Sequence, residues 1–523
     1  MEYAPAPLPE ELRAGYRSAG LQTDISLPGL MRRNVYEFQA APSVIDGERT
    51  FTWGEFLDVA FRFAGFLEGH GIGPGDVVVW QLPNWWEALA VACGVWAAGA
   101  VSAPVVPTYR ERELRRVVET VRPRCVVVAE RFRNTDHVEL MEEALAGDPV
   151  RVVVRGARPG WTSWEQAVRS APAPARPVDP GAPSMVGFTS GTTSGSKAVV
   201  MSTEGLLAVP LRHVRAVPYT WKDRGYMPAP VSHVTGLMMA LLIPLVSGCS
   251  VVLAERWDAG QAVDDIRAHG VTYTAGAQVF LQELVAATEA AGLEALPLSC
   301  GFNGGGSTIP ADLARRAESL RMNPRRAYGM TECPTVSACS TFDPPEVRLL
   351  TDGRILPGCE VRVEPDGEFV VRGPQRALGY VDPADTAEAF DSDGWFRTGD
   401  LGKVDREGCL TVTGRTKDII NRGGEKLSAR EIEEAIARHP GVRDVAVVSA
   451  PHPRLGEEPA AFVVLFNGSG LDEEQLSRFV RAEGMAAYKV PRRWVCVDDL
   501  PRTPSGKVKK YELAERLGDG AAQ

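Results

Sequence analysis

Apolar side chains near the start of the chain recur at helical spacing and then give way to short continuous runs. One helical face is predicted from five positions, Phe56, Ala60, Phe63, Ala64 and Leu67. Residues 77–80, Val-Val-Val-Trp, follow as a run typical of a buried strand, and a second helix over 111–121 precedes a second strand over 125–129. Alternating helices and buried strands predict an α/β fold with largely parallel sheets.

The pattern changes after residue 400. Apolar stretches at 401–404 and 410–413 flank the turn Asp405-Arg406-Glu407-Gly408, which predicts a hairpin. Ile432 and Ile436 mark a helix, 445–448 and 461–466 are predicted strands, and 471–483 is predicted as another helix. We therefore expect a large N-terminal domain of stacked α/β subdomains, followed by a small α+β C-terminal domain.

Composition narrows the class of protein. The chain has 523 residues, 44% of them hydrophobic, and its net charge of -10 argues against a nucleic-acid partner. Nine cysteines without a CxxC pair indicate reduced thiols in a cytoplasmic protein. The longest apolar stretch, 88–106, is rich in Ala and Gly, and a buried helix running into a strand explains it better than a membrane span does.

A loop rich in glycine and hydroxyl side chains, Phe188–Lys197, is the strongest chemical signal. Backbone amides of such a loop can bind oxyanions, and a lysine adds a positive charge. The residues expected to hold phosphates are Thr189, Ser190, Gly191, Thr192, Thr193 and Lys197. It is not a Walker A loop, because the glycine spacing differs and residues 198–201 are predicted as a strand where a helix should begin. A plain surface turn is the alternative.

Four more blocks follow in order: Tyr328–Glu332, Trp395–Asp400, Gly414–Asp418 and Pro501–Lys507. With the loop, they resemble the superfamily of adenylate-forming enzymes, which includes acyl-CoA synthetases, stand-alone adenylation domains and luciferases. The resemblance extends from Thr52 to Leu513. It implies a ligase that uses ATP and Mg²⁺ to convert a carboxylic acid to an acyl-AMP, and then transfers the acyl group to a thiol.

The resemblance also assigns roles to residues. Lys507 would bridge the carboxylate and the α-phosphate, Thr331 would donate to that phosphate, and Glu332 with Thr192 would hold Mg²⁺. Lys417 would be the hinge between domains 1–416 and 417–523, about which the small domain rotates between half-reactions. The other residues expected around the nucleotide are Gly304, Gly305, Gly306, Tyr328, Gly329, Asp400 and Arg415.

Two further segments bear on the substrates. Arg422, Gly423, Gly424 and Lys426 resemble the coenzyme A segment of acyl-CoA synthetases, although enzymes that load carrier proteins keep similar glycines. The expected acyl pocket comprises His233, Val234, Gly236, Ala277, Phe280 and Gly305, with His233 as a gate. Residues 231–236 lack the Asp that amino-acid-activating relatives use, so the acid should have no α-amino group. The pocket motifs resemble cyclohexanecarboxylate–CoA ligases, which implies a bulky or alicyclic acid.

The phosphate loop departs from the family pattern at Ser194, Ser196 and Ala198, where Gly, Pro and Gly are usual. A side chain at 194 or 198 would strain the loop or crowd the triphosphate if those glycines are required. The alternatives are therefore an enzyme that only joins coenzyme A to an acyl adenylate made by a separate adenylating enzyme, a carrier-protein loader, and a non-catalytic acyl-adenylate binder. We expect no membrane partner, and either a monomer or a homodimer.

Overall fold

A computed structural model describes residues 2–174, 176–189, 196–306, 309–466, 469–503 and 506–519. They form two compact units. The first lies within Met1–Thr189, Ser196–Glu360 and Val371–Phe396, and the second within Val361–Val370 and Arg397–Gln523. Lys417 lies inside the second unit. The predicted boundary at 416/417 is the hinge of a domain rotation, which the division into compact units does not test. It stays a prediction.

The described helices, in chain order, have the following bounds: α1 Glu10–Ser18, α2 Leu27–Glu37, α3 Trp53–Gly69, α4 Trp86–Ala97, α5 Glu111–Val121, α6 His137–Ala144, α7 Trp164–Ala167, α8 Thr203–Ala216, α9 Val234–Leu237, α10 Ile243–Ser247, α11 Ala259–His269, α12 Gln278–Ala290, α13 Ala311–Ser319, α14 Pro345–Leu350, α15 Pro383–Ala389, α16 Ala429–Ile436, α17 Glu473–Ala482 and α18 Lys510–Asp519. A π-helix covers Met238–Leu242 and a 3₁₀ helix covers Thr416–Asp418.

The described strands are β1 Pro42–Asp46, β2 Arg49–Thr52, β3 Val77–Gln81, β4 Val101–Pro104, β5 Cys125–Ala129, β6 Arg131–Phe132, β7 Thr135–Asp136, β8 Val150–Val154, β9 Thr162–Ser163, β10 Pro183–Phe188, β11 Ala198–Ser202, β12 Arg224–Met227, β13 Ser250–Leu253, β14 Tyr273–Gly276, β15 Gly301–Gly304, β16 Pro324–Tyr328, β17 Ser337–Ala338, β18 Arg354–Ile355, β19 Glu360–Val363, β20 Glu368–Arg372, β21 Gly379–Tyr380, β22 Phe396–Val404, β23 Leu410–Arg415, β24 Ile419–Arg422, β25 Glu425–Ser428, β26 Val442–His452, β27 Gly456–Leu465 and β28 Arg493–Cys496.

The first unit contains two large sheets. One has the order β18-β17-β16-β15-β14-β12-β13-β1-β2, and its central pairs are parallel. The other has the order β21-β11-β10-β4-β3-β5-β8-β9, and it is parallel from β10 to β9. The candidate nucleotide residues of this unit follow the carboxyl ends of β10, β15 and β16. Strand β10 belongs to the second of these sheets and β15 and β16 to the first, and ligands of open α/β sheets bind at such carboxyl edges.

The second unit contains most of a four-stranded sheet, β19-β20-β22-β23, and a five-stranded sheet in which β25, β24, β27 and β26 are neighbours and β28 pairs with β27. Helices α16 and α17 pack on the five-stranded sheet through an apolar cluster that includes Ile432, Ile436 and Leu476. The predicted hairpin is β22–β23, with Asp400 opposite Arg415. The small α+β character predicted for this region is confirmed.

The sequence patterns of the first unit are also confirmed. The predicted helix through Phe56 is α3, which begins with a capping box between Thr52 and Glu55. Residues 88–106 form the C-terminal part of the wholly buried α4 and then β4. Within the described parts of the chain, no helix combines the length and apolar character needed to cross a membrane.

Candidate functional site

Two hydrogen bonds between Thr189 and Lys197 join the two ends of the phosphate loop. The Thr189 amide donates to the Lys197 carbonyl at 3.0 Å, and the Lys197 amide donates to Thr189 Oγ1 at 3.1 Å. The adjacent residues Phe188 and Ala198 are the first pair of the antiparallel strands β10 and β11. The predicted residues Ser190, Gly191, Thr192 and Thr193 lie outside the described residues, as does Ser194.

The Lys197 ammonium is paired with two carboxylates that the sequence analysis missed. Its Nζ lies 2.9 Å from Asp385 Oδ1 and 3.4 Å from Glu388 Oε2. Burial lowers the pKa of Lys197, but the hydrogen bonds and charges of these two carboxylates outweigh burial, and the net pKa is raised. A nucleotide phosphate would share or displace these partners.

The two described departures of the loop differ in their consequences. Ala198 is the first residue of β11, opposite Phe188, and it is not among the residues with positive φ. The predicted backbone strain at position 198 is therefore wrong, because the strand conformation suits any residue. Ser196 Oγ accepts a hydrogen bond of 3.4 Å from the Tyr109 hydroxyl.

The second block begins where β16 ends at Tyr328. The Val336 amide donates to the Tyr328 carbonyl at 2.7 Å, which turns the chain back. A Cβ at Gly329 would lie 2.2 Å from the Thr335 amide nitrogen, so this position requires glycine. The Thr331 methyl group lies against Gly187, at the end of the strand that leads into the phosphate loop. The fold thus brings the first two sequence blocks together.

Glu332 is oriented by a tyrosine. The Tyr380 hydroxyl donates to Glu332 Oε1 at 2.7 Å, and Tyr380 is only 3% exposed. Burial and then the charge of Glu332 raise the pKa of Tyr380, which keeps the phenol a donor. A single oriented carboxylate fits Mg²⁺, which proteins usually bind through one or two carboxylates together with substrate phosphates. Groups of three or more potential ligand side chains do not occur among the described residues.

The three glycines at the end of β15, Gly304, Gly305 and Gly306, differ in their surroundings. A Cβ at Gly304 would lie 2.3 Å from Ile309 Cδ1, whereas a Cβ at Gly305 would have no atom within 4 Å. Gly306 has a φ of 77°. Packing therefore explains the glycine at 304, and positive φ explains the glycine at 306. Neither reason applies to Gly305, where the open space leaves room for a ligand.

The predicted acyl-pocket residues fall into two groups. His233 and Val234 are partly exposed at the start of α9, and His233 Nδ1 accepts a hydrogen bond of 3.4 Å from the Thr235 amide. Ala277 and Phe280 belong to the buried core between α11, α12 and α13. A Cβ at Gly236 would lie 2.0 Å from the Pro230 carbonyl oxygen, which gives this glycine a packing role. Contact of these residues with an acid stays a prediction.

The second unit brings four predicted residues into one charged cluster. Arg415 Nε lies 2.6 Å from Asp400 Oδ1 across the β22–β23 hairpin. Lys417 follows in the 3₁₀ helix. Although its side chain reaches solvent, partial desolvation and then the charge of Arg415 lower its pKa, and Lys507 acts in the same direction. Asp400, Arg415, Lys417 and Lys507 therefore influence one another electrostatically.

Two hydrogen bonds between Thr503 and Lys507 join the ends of the loop that carries Lys507, as in the phosphate loop. The Lys507 amide donates to Thr503 Oγ1 at 3.1 Å, and the Thr503 amide donates to the Lys507 carbonyl at 2.8 Å. Arg502 donates to the Gly506 carbonyl at 2.6 Å and pairs with Asp444. The loop is thus tied both to itself and to β26.

Gly423 and Gly424 form the two-residue turn between β24 and β25, with φ values of 60° and 97°. Such hairpin turns require positive φ, so the turn by itself accounts for both glycines. Arg422 flanks the turn, and Lys426 is exposed. The coenzyme A role of this segment stays a prediction.

Comparison with known proteins identifies the family. Residues 31–381 match the model of the AMP-binding enzyme family, and residues 431–507 match that of the AMP-binding enzyme C-terminal domain. The chain is 32% identical to a medium-chain fatty-acid–CoA ligase of Escherichia coli (strain K12), with 97% of this chain and 93% of that protein covered.

Two other relatives act on different acids. One, from Rhodococcus jostii (strain RHA1), is a 3-[(3aS,4S,7aS)-7a-methyl-1,5-dioxo-octahydro-1H-inden-4-yl]propanoyl:CoA ligase, 33% identical over 93% of this chain and 98% of that protein. The other is a salicyl-AMP ligase / salicyl-S-ArCP synthetase of Mycobacterium tuberculosis (strain ATCC 25618 / H37Rv), 30% identical over 98% of this chain and 94% of that protein.

The fold also matches solved structures. The ATP-bound crystal structure of MatB from Rhodopseudomonas palustris superposes with a TM-score of 0.82 at 26% identity, covering 94% of this chain and 99% of that one. The predictions of an adenylate-forming acyl-CoA ligase, and of ATP, Mg²⁺ and coenzyme A as its cofactors, are confirmed at the level of the family. The chain belongs to the AMP-binding enzyme family and carries that family's C-terminal domain.

Proposed function

We propose that this enzyme converts a carboxylic acid without an α-amino group, of bulky or alicyclic shape, to its coenzyme A thioester through an acyl-AMP. The observation that carries this proposal is the cluster of Asp400, Arg415, Lys417 and Lys507. Asp418 also acts on Lys417, so three cations face two carboxylates and an excess of one positive charge remains. Such an excess suits a step in which two anions, a carboxylate and an α-phosphate, must approach each other.

In the first half-reaction, Lys507 neutralises the acid's carboxylate as it attacks the α-phosphate, and Thr331 donates a hydrogen bond to that phosphate. Glu332, held by Tyr380, would ligate Mg²⁺, which supplies charge neutralisation at the phosphates. Asp400 would accept the ribose hydroxyls beside Arg415. For the second half-reaction we propose rotation of residues 417–523 about Lys417, since a few backbone torsions suffice for a hinge.

Two observations support the proposed class of acid. Residues 231–236 contain neither Asp nor Glu, so no carboxylate in this segment could pair with a substrate ammonium. The relatives named above act on a medium-chain fatty acid and on a ring-bearing propanoic acid. We propose that the reaction takes place in the cytoplasm, where ATP and coenzyme A are present and where all nine cysteines would remain the free thiols that the structure shows.

One observation favours a second candidate function. Lys197 is already paired with Asp385 and Glu388, and the loop departs from the family pattern at three positions. An enzyme that only transfers a preformed acyl group to coenzyme A would not need the triphosphate site. A third candidate, loading of a carrier protein, is favoured by the salicyl-S-ArCP synthetase among the relatives.

The test is product analysis with ATP, Mg²⁺ and a panel that includes octanoate, cyclohexanecarboxylate and benzoate. We expect acyl-CoA and AMP in equal amounts when coenzyme A is the acceptor. Acyl transfer to a phosphopantetheinylated carrier protein, with free coenzyme A unused, would identify a loader. Acyl-CoA formed only from a synthetic acyl adenylate would identify an enzyme restricted to the second half-reaction.

We predict that Gly305→Ala leaves the fold intact and impairs the reaction. The new methyl group meets no protein atom within 4 Å, so stability should be unchanged or slightly higher. The methyl would occupy the space proposed for the nucleotide or acid, and misplaced reactants typically lower turnover by about 10- to 100-fold. Thermal denaturation and steady-state kinetics measure the two effects. Gly69→Ala, also free of contacts, is the matched control, and wild-type kinetics in Gly305→Ala would contradict the assignment.

We also predict that Tyr380→Phe weakens the use of Mg²⁺ without removing it. The substitution deletes the 2.7 Å hydrogen bond to Glu332 and preserves the ring. Loss of a hydrogen bond that orients a metal ligand typically costs about 10- to 100-fold in metal affinity or activity. Titration of the initial rate with Mg²⁺ should show a higher half-saturating concentration, and partial recovery at high Mg²⁺. A uniform loss of rate at every Mg²⁺ concentration would instead indicate a purely structural role.

A further inference from the structure

A buried arginine on β16 lacks a counter-charge. Arg325 is 2% exposed, and its Nη2 donates to the Cys300 carbonyl and, at 3.0 Å, to Asn303 Oδ1. Its Nε and Nη1 atoms have no hydrogen-bond partner of good geometry among the described residues, although the neutral Tyr219 hydroxyl lies close enough to interact with the guanidinium, and none of the described carboxylates forms an ion pair with it. A buried guanidinium without a compensating anion is costly, so the site as it stands is incomplete.

The neighbours of Arg325 do not supply the missing charge. The Tyr219 hydroxyl lies 3.3 Å from His213 Nε2, and Asn303 Nδ2 donates to the same hydroxyl at 3.4 Å. Burial and then the charge of Arg325 lower the pKa of His213 to about 3, and burial raises the pKa of Tyr219 to about 12. Both side chains are therefore neutral near pH 7, and the cluster retains one positive charge.

One acidic side chain, Asp223, contacts this region through Cys300, and its oxygens already accept other hydrogen bonds. Asp223 Oδ2 accepts from the Thr220 amide at 2.7 Å and from the Thr220 hydroxyl at 3.0 Å, while Oδ1 accepts from Cys300 Sγ at 3.4 Å. The other titratable groups in contact here, Tyr273, Cys249 and Cys300, have pKa values raised by burial, so they are neutral as well. The cluster therefore lacks an anionic oxygen that could accept hydrogen bonds from Arg325.

Asn303, a member of the cluster, is two residues from Gly305 along the chain. Asn303 lies beside Arg325 in the β15–β16 register and beside Ala275 in the β14–β15 register. Side chains two residues apart on a strand share a face, so Asn303 and Gly305 point to the same side, separated by roughly 7 Å. Asn303 is partly exposed, whereas Arg325 is not. A molecule that enters past Gly305 would thus reach Asn303 first and then the guanidinium.

We propose that Arg325 and Asn303 bind a hydrogen-bond-accepting oxygen, a carboxylate or a ketone, at the end of the acid remote from the reacting carboxylate. Within the proposed class of acids, the preferred substrate then carries an oxo group or a second carboxyl group. This inference rests on the proposed function, because it deepens the choice of acid by that same site. An oxygen placed against Nη1 would accept from a free donor and offset the buried charge.

The test compares acids in matched pairs, adipate with hexanoate and levulinate with pentanoate, by acid-dependent ATP–pyrophosphate exchange. Wild-type enzyme should prefer the oxygen-bearing member of at least one pair by about 10-fold or more in kcat/KM, because a polar site rejects an analogue that leaves its groups unpaired. Preference for adipate alone indicates an anionic group, and preference for levulinate alone indicates a ketone.

The decisive variant is Asn303→Asp. It is nearly isosteric and places a carboxylate 3.0 Å from Arg325 Nη2, where the asparagine Oδ1 now lies. This internal anion should replace the ligand oxygen, so the ratio of kcat/KM within each pair should fall towards one. Asn134→Asp, at an exposed position, is the matched control and should keep the wild-type ratio. An unchanged ratio in Asn303→Asp, or equal use of both members of both pairs by the wild type, would overturn the proposal.

A binding measurement separates this inference from the proposed function. Adipate or levulinate should raise the Tm of the wild type more than hexanoate or pentanoate does, and this difference should vanish in Asn303→Asp. If no acid supports exchange yet the Tm difference appears, the proposed reaction fails and the binding site stands. If acids react but no Tm difference appears for either pair, the site fails and the proposed reaction stands.

Discussion

Lys507→Ala is expected to slow adenylation severely while leaving thioester formation largely intact. The lysine is proposed to neutralise the acid and the α-phosphate as they approach, and removal of one such group typically lowers the rate by about 100- to 1000-fold. No phosphate is attacked in the second half-reaction, so a synthetic acyl adenylate and coenzyme A should still give the thioester. ATP–pyrophosphate exchange measures the first effect, and acyl-CoA formation measures the second.

Lys509→Ala is the matched control. Lys509 follows in the same segment and pairs with Glu512 at 2.7 Å, so its removal disturbs the loop surroundings without touching the proposed bridge. Exchange should remain close to the wild-type rate in this variant. Equal losses in both half-reactions of Lys507→Ala would show that the lysine supports the fold of the loop and has no specific part in adenylation.

Glu332→Gln is expected to have the second largest effect. The amide keeps the shape of the side chain and can still accept the Tyr380 hydrogen bond, but it loses the negative charge that would bind Mg²⁺. Metal ions contribute several kcal/mol to charge stabilisation in phosphoryl chemistry, so the loss should be at least about 100-fold in exchange activity. The measurement is exchange rate against Mg²⁺ concentration.

The control for this variant is Glu346→Gln, an exposed residue of α14, which should behave as wild type. Glu332→Gln should raise the half-saturating Mg²⁺ concentration more than Tyr380→Phe does, because both substitutions act on the same metal ligand. An unaltered Mg²⁺ dependence at a reduced rate would contradict the metal role and leave Glu332 with a positioning role only.

Local features of the fold were predictable from the sequence. The apolar spacing through α3, the buried runs of β3 and β5 and the hairpin β22–β23 all follow from patterns within a few residues. Two sequence blocks of the site also meet, since the Thr331 methyl lies against Gly187 beside the phosphate loop. Strands β10 and β16 belong to different sheets, so strand order does not predict this contact. The family resemblance does predict it, because it places both blocks at the nucleotide phosphates.

The remaining features depend on pairings across long stretches of chain. Lys197 and Glu388 are 191 positions apart, and Tyr380 and Glu332 are 48 apart, with no spacing signal that joins them. The packing of Gly236 against the Pro230 carbonyl is a tertiary effect, as is the register that puts Asn303 beside Arg325. A pattern of residue types records that a side chain is buried or polar, but it does not record which partner it meets.

Acid-dependent ATP–pyrophosphate exchange without coenzyme A decides whether the enzyme adenylates its acid, since exchange requires reversible formation of the acyl adenylate. We predict Mg²⁺-dependent exchange with at least one acid of a panel of aliphatic, alicyclic, aromatic, oxo and dicarboxylic acids. Silence across the panel, together with acyl-CoA formation from a synthetic acyl adenylate, would contradict this prediction and assign the enzyme to the second half-reaction alone.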